Sequence, residues 1–364
     1  MRRGLRTLGG ALGAFLALSG VFFAVWLLIP HRGPARELVV AVPKPLGAGA
    51  LGLALARAGA IDHPRLFAAL AWAVRAPSRV HGRALRVRGD RSPLGLLLAL
   101  RDGRAGRVRV TVPEGFTRFD VARRLEERGV TEAAGFLQRC EAPEALARYG
   151  VPPGPYASLE GRLFPDTYLL PYGSTADEVL AHLLGAWQRR TAAVFRAHPE
   201  ALARSGALPG ARSPQEAALV LASMVERETG HGPDRPRVSA VFWNRLTDPL
   251  FPQRLLQSDP TVVYGCRVAG GGACGDRGAG AVGSVTSPTA SMLADRTNPW
   301  NTYRREGLPP GPICNPGLAA LTAALGPSPG GDLYFVARGD GTSAFATTLE
   351  AHHQNVQRYL RGPR

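Results

Sequence analysis

The chain reads as an α+β protein with a membrane-spanning helix at its N-terminus, and three observations predict this. An uncharged apolar run occupies Thr7 to Ile29, short strand-like stretches alternate with helical patterns from Glu37 onward, and a capped helix runs from Ser213 to Gly230. A spanning helix needs roughly 20 apolar residues. Arg2, Arg3 and Arg6 precede the run, so the excess of positive charge places residues 1–6 in the cytoplasm and the remainder outside. A cleaved signal peptide is the competing reading, but the run is long for such a segment and no clean small-residue cleavage site follows it.

With 364 residues there is material for two or three cores. The pattern divides the chain into residues 1–6, a spanning helix at 7–29, a small α+β module at 37–106, a middle α+β region at 107–205 and a mixed α/β region at 206–364. In the first module a strand is expected at Glu37 to Val42, helices at about Ala48 to Ala58 and Pro64 to Val74, a strand at Ala84 to Arg88 and a helix at Pro93 to Leu100. That order is compatible with a LysM-like glycan-binding module.

The middle region opens with a strand at Arg107 to Val112 and a helix at Phe119 to Arg128. Leu159 to Tyr172 reads as mixed strand and turn, Ala176 to Ala197 as a helix and Pro199 to Ser213 as a linker. In the last region Arg237 to Leu246 is helical, and the glycine-rich stretch from Cys266 to Gly283 is expected to loop. Asn298 to Pro316 forms an irregular, proline-braced wall. A helix at Gly317 to Leu325, a strand at Leu333 to Ala337 and a helix at Thr348 to Leu360 close the chain.

The formal net charge is +16, yet Lys44 is the sole lysine and the arginines are spread along the chain without a stacking aromatic ladder. A nucleic-acid partner is therefore not expected; an anionic extracytoplasmic polymer suits the charge equally well. Of the four cysteines, Cys266 and Cys274 flank the glycine-rich loop and make the favoured bridge, with Cys140 and Cys314 remaining. Zinc-ligand spacing is absent, and neither metal nor cofactor is expected.

The helix from Ser213 carries the chemistry. Ser213 and Glu216 form an S-x-x-E capping box, Pro214 suits the first turn, and Gly230 is placed for a left-handed stop. Its last turn holds two carboxylates, Glu226 and Glu228. Two apart on a helix, they point in different directions and cannot grip one small group together. Ala217, Leu221 and Met224 make a stripe that continues to Glu228, whereas Glu226 falls on the flank, so periodicity favours Glu228 as the buried one and leaves Glu226 as the second candidate. Burial raises a carboxyl pKa and turns it into a proton donor near neutrality. A solvated helix end with both charges facing water is the competing reading.

The ordered segments LEGRLFPDTY from Leu159, LASMVERETG from Leu221, VFWNRL from Val241, LQSDPTVVYG from Leu256, NTYRREGLPPGPICNPG from Asn301 and DLYFVARGDG from Asp332 resemble the YceG-like (MltG) family of endolytic murein transglycosylases. The resemblance runs from about Glu37 to the C-terminus and includes the anchor. It implies a single-pass inner-membrane enzyme that cuts the MurNAc–GlcNAc bond of nascent glycan strands, leaves 1,6-anhydro-MurNAc ends, and works beside peptidoglycan synthases of the division or elongation machinery. The family's catalytic glutamate maps onto Glu228. Asn244, Gln257, Asp259, Asn301 and Tyr303 match motif positions suited to bind sugar hydroxyls or orient Glu228, or else to cap and turn the backbone; Glu160 and Asp166 face a groove or hold the middle region together. Ser343 stands where family members often carry a histidine, and His352 is assigned to packing. A muramidase that uses water, or a non-catalytic wall-binding scaffold, are the alternatives.

Overall fold

The computed structural model describes residues 2–31, 33, 35–42, 46–76, 84–101, 106–270, 272–277 and 287–360; the side chains of 2–13 and 275–277 lie outside the description, as does most of the glycine-rich stretch after Cys274. The chain divides into two compact units. One comprises Met1–Val110, Glu127–Thr131 and Tyr168–Thr175; the other comprises Thr111–Glu126, Glu132–Thr167 and Ala176–Arg364.

In the first unit, helix α1 (Arg2–Leu28) forms over the apolar run. Among the described residues no helix is long and apolar enough to cross a membrane, so the expected anchor is not shown. Residues 7–13 of the run have no described side chains, and beyond them Phe15, Leu18 and Phe22 are exposed. Strand β1 (Glu37–Ala41), helices α2 (Ala48–Arg57) and α3 (Pro64–Ala73), strand β2 (Ala84–Arg88) and helix α4 (Pro93–Arg101) follow. The strands pair antiparallel, Glu37 opposite Arg88 and Ala41 opposite Ala84. Their inward residues Val40, Leu85 and Val87 meet Leu51, Leu55, Phe67 and Leu96 in one core, the alternation that a half-buried strand requires. The order strand–helix–helix–strand is the expected one; LysM-like character is not shown by it, because many small units share that order.

Strand β3 (Arg107–Val112) pairs with β4 (Asp166–Pro171). Between them lie α5 (Arg118–Glu127), α6 (Ala133–Cys140) and α7 (Pro143–Arg148), and α8 (Ala176–Ala197) and α9 (Pro199–Ser205) come after. Helix α9 lies where a linker was expected, started by Pro199 at its first turn.

Helix α10 (Pro214–Glu228) occupies the centre of the second unit, with every residue from Glu216 to Val225 buried. Such a helix is enclosed on all sides rather than along one stripe. Ser213 caps it by accepting from the Glu216 N–H at 3.2 Å. The reciprocal half of the box does not form, because the Glu216 carboxylate is taken by Arg162 at 2.7 Å and Arg212 at 2.9 Å. The helix ends through Thr229 in extended backbone (φ −143°), not through a left-handed Gly230.

Around it stand α11 (Arg235–Thr247), α12 (Asp259–Ala269), α13 (Ala290–Ala294), α14 (Leu318–Leu325), the hairpin β5 (Tyr334–Ala337) with β6 (Ser343–Ala346), and α15 (Leu349–Leu360). Cys266 is bonded to Cys274, and Cys140 and Cys314 are free and buried. The stretch 298–316 is irregular, as expected, and tightly held. Trp300 is fully buried, and Gly265 passes so close to Asn298 that a Cβ there would lie 2.0 Å from Oδ1.

Candidate active site

Glu228 is the last residue of α10 and Ser258 the residue that opens α12. A serine at a helix N-cap ordinarily accepts from a backbone N–H of the first turn. Ser258 makes no such bond. Its Oγ instead donates to Glu228 Oε1 at 2.5 Å, a charge-assisted contact between two elements 30 residues apart. Ser258 is itself held: its N–H donates to Thr302 Oγ1 at 3.0 Å, and Thr302 Oγ1 lies 2.9 Å from Thr261 Oγ1.

The residue before it, Gln257, sits at φ 55°, a left-handed conformation that strains a non-glycine and collects at functional sites. Its N–H donates to the Thr302 carbonyl at 3.1 Å, and its Oε1 accepts from Arg245 Nη1 at 3.1 Å. Asp259 follows Ser258, and its Oδ1 accepts from the Tyr303 hydroxyl at 2.7 Å. Gln257, Asp259 and Tyr303 therefore gather on the turn that holds Glu228.

Burial pushes the Glu228 carboxyl up to about 7; the Ser258 hydrogen bond pulls it down, the neighbouring Asp259 carboxylate raises it, and Arg245 and Arg227 lower it. Each sign follows from whether the neighbour favours the charged form. Arg245 is buried and donates to the backbone carbonyls of Leu333 and Leu256 at 2.7 and 2.8 Å. Burial pushes its own pKa down.

Glu226 has a different environment. Its Oε2 accepts from the Gly317 N–H at 3.0 Å and its Oε1 from Arg235 Nη2 at 3.1 Å. Its side chain is only 6% exposed, yet burial raises its carboxyl less far than it raises that of Glu228, in keeping with the deeper place the stripe gave to Glu228. Their partners differ as well: Glu226 is tied into an ion pair and a helix start, whereas Glu228 faces a hydroxyl and a neighbouring carboxylate. Burial raises the Glu226 pKa as well, against the pull of Gly317 and Arg235.

Of the remaining predicted positions Asn301 adjoins the site, its Oδ1 accepting from the Tyr303 N–H at 3.0 Å, and the others lie elsewhere in the second unit. Asn244 donates its amide to the carbonyls of Gly330 and Asp332, at 3.0 and 2.9 Å. Asn301 is fully buried, and its amide nitrogen is shared among the carbonyls of Met292, Leu293 and Asp295. Both hold backbone in this structure. Glu160 is buried in a closed network, accepting from the Arg118 N–H, the Tyr264 hydroxyl at 3.0 Å and Asn315 Nδ2 at 2.9 Å. Asp166 pairs with Arg190 at 3.3 Å on the surface. Ser343 donates its N–H to Asp234, and His352 stacks on Tyr334 with ring centres 5.3 Å apart.

Ser258, Thr302 and Arg245 were missed from the sequence. The signal for Ser258 was present, a serine immediately before an Asp-Pro pair, which is the start of a helix. Among the described residues no group of three or more His, Cys, Asp or Glu side chains is placed to hold a metal.

An endolytic murein transglycosylase of Bacillus subtilis (strain 168) is 30% identical over 202 residues, 56% of this chain and 48% of that protein. One from Streptococcus pneumoniae serotype 2 (strain D39 / NCTC 7466) is 24% identical over 377 positions, 95% of this chain and 63% of that protein. The chain thus spans between about half and under two thirds of the length of these relatives. A yceG-like protein of Listeria monocytogenes, solved at 2.6 Å, superposes with a TM-score of 0.55 at 23% identity, covering 88% of this chain and 99% of that one, a likeness of fold. A pattern described as the YceG-like family matches residues 40–358, and by that match the chain belongs to the YceG-like family.

Proposed function

We propose that this protein is a lytic transglycosylase that cleaves the MurNAc–GlcNAc β-1,4 bond of nascent peptidoglycan strands and leaves 1,6-anhydro-MurNAc ends. The names of its relatives support the polymer. The observation that carries the reaction is one half-buried carboxyl, Glu228, poised at about 7 by burial and bonded to Ser258. A proton donor is most effective with a pKa near the working pH.

In the first step protonated Glu228 gives its proton to the glycosidic oxygen as the bond from the MurNAc C1 breaks. The sugar's own C6 hydroxyl then bonds to C1 and loses its proton to the Glu228 carboxylate, which restores the acid. The nucleophile is tethered to its target, so no water has to be placed. One carboxyl suffices, where a hydrolase positions two. Gln257, Asp259 and Tyr303 surround that carboxyl and are the residues proposed to meet the sugar, and no cofactor takes part.

The run 7–29, preceded by three arginines, is proposed as a single-pass inner-membrane anchor with the catalytic region outside the cytoplasm, beside the synthases that extrude the strands. The Cys266–Cys274 bridge supports an oxidising compartment.

The second carboxylate beside Glu228, Asp259, favours one other reading, hydrolysis by water. Product analysis of digested, uncrosslinked strands decides: anhydro-MurNAc ends support the transglycosylase, and reducing MurNAc ends overturn it in favour of a muramidase.

The pH profile has a defined sign. Activity that needs protonated Glu228 falls as pH rises through about 7. Ser258→Ala removes a donor that favours the carboxylate, so the falling limb moves to higher pH. Asp259→Asn removes a repelling charge, so it moves to lower pH. Profiles of kcat/KM for the two variants that shift the same way would contradict the arrangement.

A further inference from the structure

The Ser258 hydroxyl has two possible uses. At the residue that opens α12 it could accept from the Thr261 N–H, three residues on, as an N-cap serine ordinarily does. It holds Glu228 instead. The hydrogen bonds around its backbone show what commits it. The Thr261 N–H is taken by the Ser258 carbonyl at 3.2 Å, and the same carbonyl accepts from Thr261 Oγ1 at 2.6 Å. A carbonyl can only accept, so the Thr261 hydroxyl hydrogen is committed there. The 2.9 Å contact between the two threonine hydroxyls is therefore donated by Thr302. Thr302 Oγ1 in turn accepts from the Ser258 N–H at 3.0 Å. The ring closes with every donor direction fixed: Ser258 N–H to Thr302, Thr302 to Thr261, and Thr261 back to the Ser258 carbonyl.

Thr302 also uses its backbone. Its carbonyl accepts from the Gln257 N–H at 3.1 Å, so two consecutive N–H groups of the turn end on one residue. The first belongs to Gln257, at φ 55°, a conformation that persists only where its surroundings hold it. Thr302 is 1% exposed and Thr261 0%, and a buried network with all its partners in place is rigid. Thr302 is held from the chain beside it as well. The Asn301 amide nitrogen binds three carbonyls, and its Oδ1 accepts from the Tyr303 N–H.

We infer that Thr302 is a positioning residue for the acid: its hydroxyl keeps Ser258 out of the helix cap and turned toward Glu228. This rests on the reading of Glu228 as the proton donor of the proposed reaction. Four other groups face that carboxyl: Arg227 from its own helix, Arg245 from α11, Asp259 from α12 and Tyr303 from the stretch between α13 and α14. Tyr303 adjoins Thr302 and donates to Asp259, so a change at Thr302 could in principle act through Asp259. The two routes have opposite signs. A loosened Ser258 removes a donor that favours the carboxylate and raises the Glu228 midpoint, whereas a withdrawn Asp259 removes a repelling charge and lowers it.

The test is a carbon-13 NMR titration of the Glu228 carboxyl in the full chain, assigned with Glu228→Gln, beside kcat and KM on uncrosslinked strands. Thr302→Val keeps the shape of the side chain and removes the oxygen. The expected result is a midpoint moved to higher pH, as in Ser258→Ala, with kcat about tenfold lower and KM unchanged. Adding Thr302→Val to Ser258→Ala moves the midpoint no further, because both act through one hydroxyl. Thr302→Ser keeps the oxygen and returns the midpoint to that of the wild type. A threonine that served stability alone would lower the melting temperature and leave the midpoint in place; that result, or a midpoint that falls, overturns the inference. Thr261→Val is the gentler second variant, since the Ser258 carbonyl keeps the Thr261 N–H and no backbone donor is orphaned. It is expected to raise the midpoint by a smaller amount, and an unchanged midpoint there counts equally against Thr302. The titration needs no substrate, so the two readings separate. An upward shift in a protein that cuts no strand, wild type included, rejects the proposed reaction and supports the place of Thr302.

Discussion

Glu228→Gln lowers turnover of uncrosslinked glycan strands by about 10²–10⁴-fold, the contribution of a positioned general acid and base. Glutamine keeps the size of the side chain and can still accept from Ser258 Oγ, so the contact between α10 and α12 persists while the transferable proton is gone. Glu226→Gln is the matched control. Its oxygen still accepts from the Gly317 N–H, and the loss of charge opposite Arg235 affects the local ion pair rather than the reaction, so turnover stays of the same order. Measured side by side at pH 6 and 7, the reverse pattern would transfer the catalytic role to Glu226. Full activity in both would remove the single-carboxyl mechanism. A folded-state control by circular dichroism separates loss of chemistry from loss of structure.

Glu160→Ala destabilises the second unit by about 3–5 kcal/mol, because the Arg118 N–H, the Tyr264 hydroxyl and the Asn315 amide lose a buried acceptor and the Arg118 guanidinium keeps Glu141 as its remaining carboxylate, at 2.9 Å. Glu160 is 1% exposed and Arg118 3%. The carboxylate accepts both from the Arg118 N–H, at 2.9 and 3.0 Å, and from Tyr264 and Asn315, while the Arg118 guanidinium lies 3.7 Å away. Asn315 in turn accepts from the Leu163 N–H at 2.8 Å and donates to the Phe116 carbonyl at 2.9 Å. One residue thus ties α5, the loop before β4, α12 and the stretch after Cys314. Burial raises the Glu160 pKa and Arg118 opposes the rise. Urea unfolding followed by tryptophan fluorescence measures the loss; a change below about 1 kcal/mol, the scale of a surface ion pair, would show that water reaches Arg118.

The sequence carried the element order well where periodicity or a helix start was strong. The strand Arg107–Val112 and the helix Ala176–Ala197 fall where they were expected, because each holds its pattern over its whole length. Helices α6 and α7 went unseen because they are eight and six residues long, too short for a period to establish itself. Helix α12 was read as motif and loop: Asp259-Pro260 has the look of a turn, yet proline in the first turn of a helix is a starting signal. The extended exit through Thr229 replaced the Gly230 stop because the Thr229 hydroxyl accepts from the His231 N–H at 3.0 Å, a local bond that glycine spacing does not reveal. At the site, Glu228 was legible as a carboxylate at an unfavourable address. Ser258 was not, since its meaning lies in a partner 30 residues away, and Asn244 and Asn301 read as ligands because a motif gives residue types without directions.

The position of Glu228 also bears on which sequences the fold itself prefers. Raising a carboxyl pKa from 4.5 to about 7 means the folded chain holds a proton that the unfolded chain has released. The stabilising contribution of that protonated group is complete below pH 4.5 and is lost as pH rises through 7, a difference of about 3 kcal/mol at the alkaline end. Glutamine at this position carries no such dependence. Above neutrality the glutamine variant is therefore expected to be the sturdier protein and the glutamate one the weaker, so selection for folding alone favours the amide, and the acid stands here at a cost to the fold that the proposed reaction would explain.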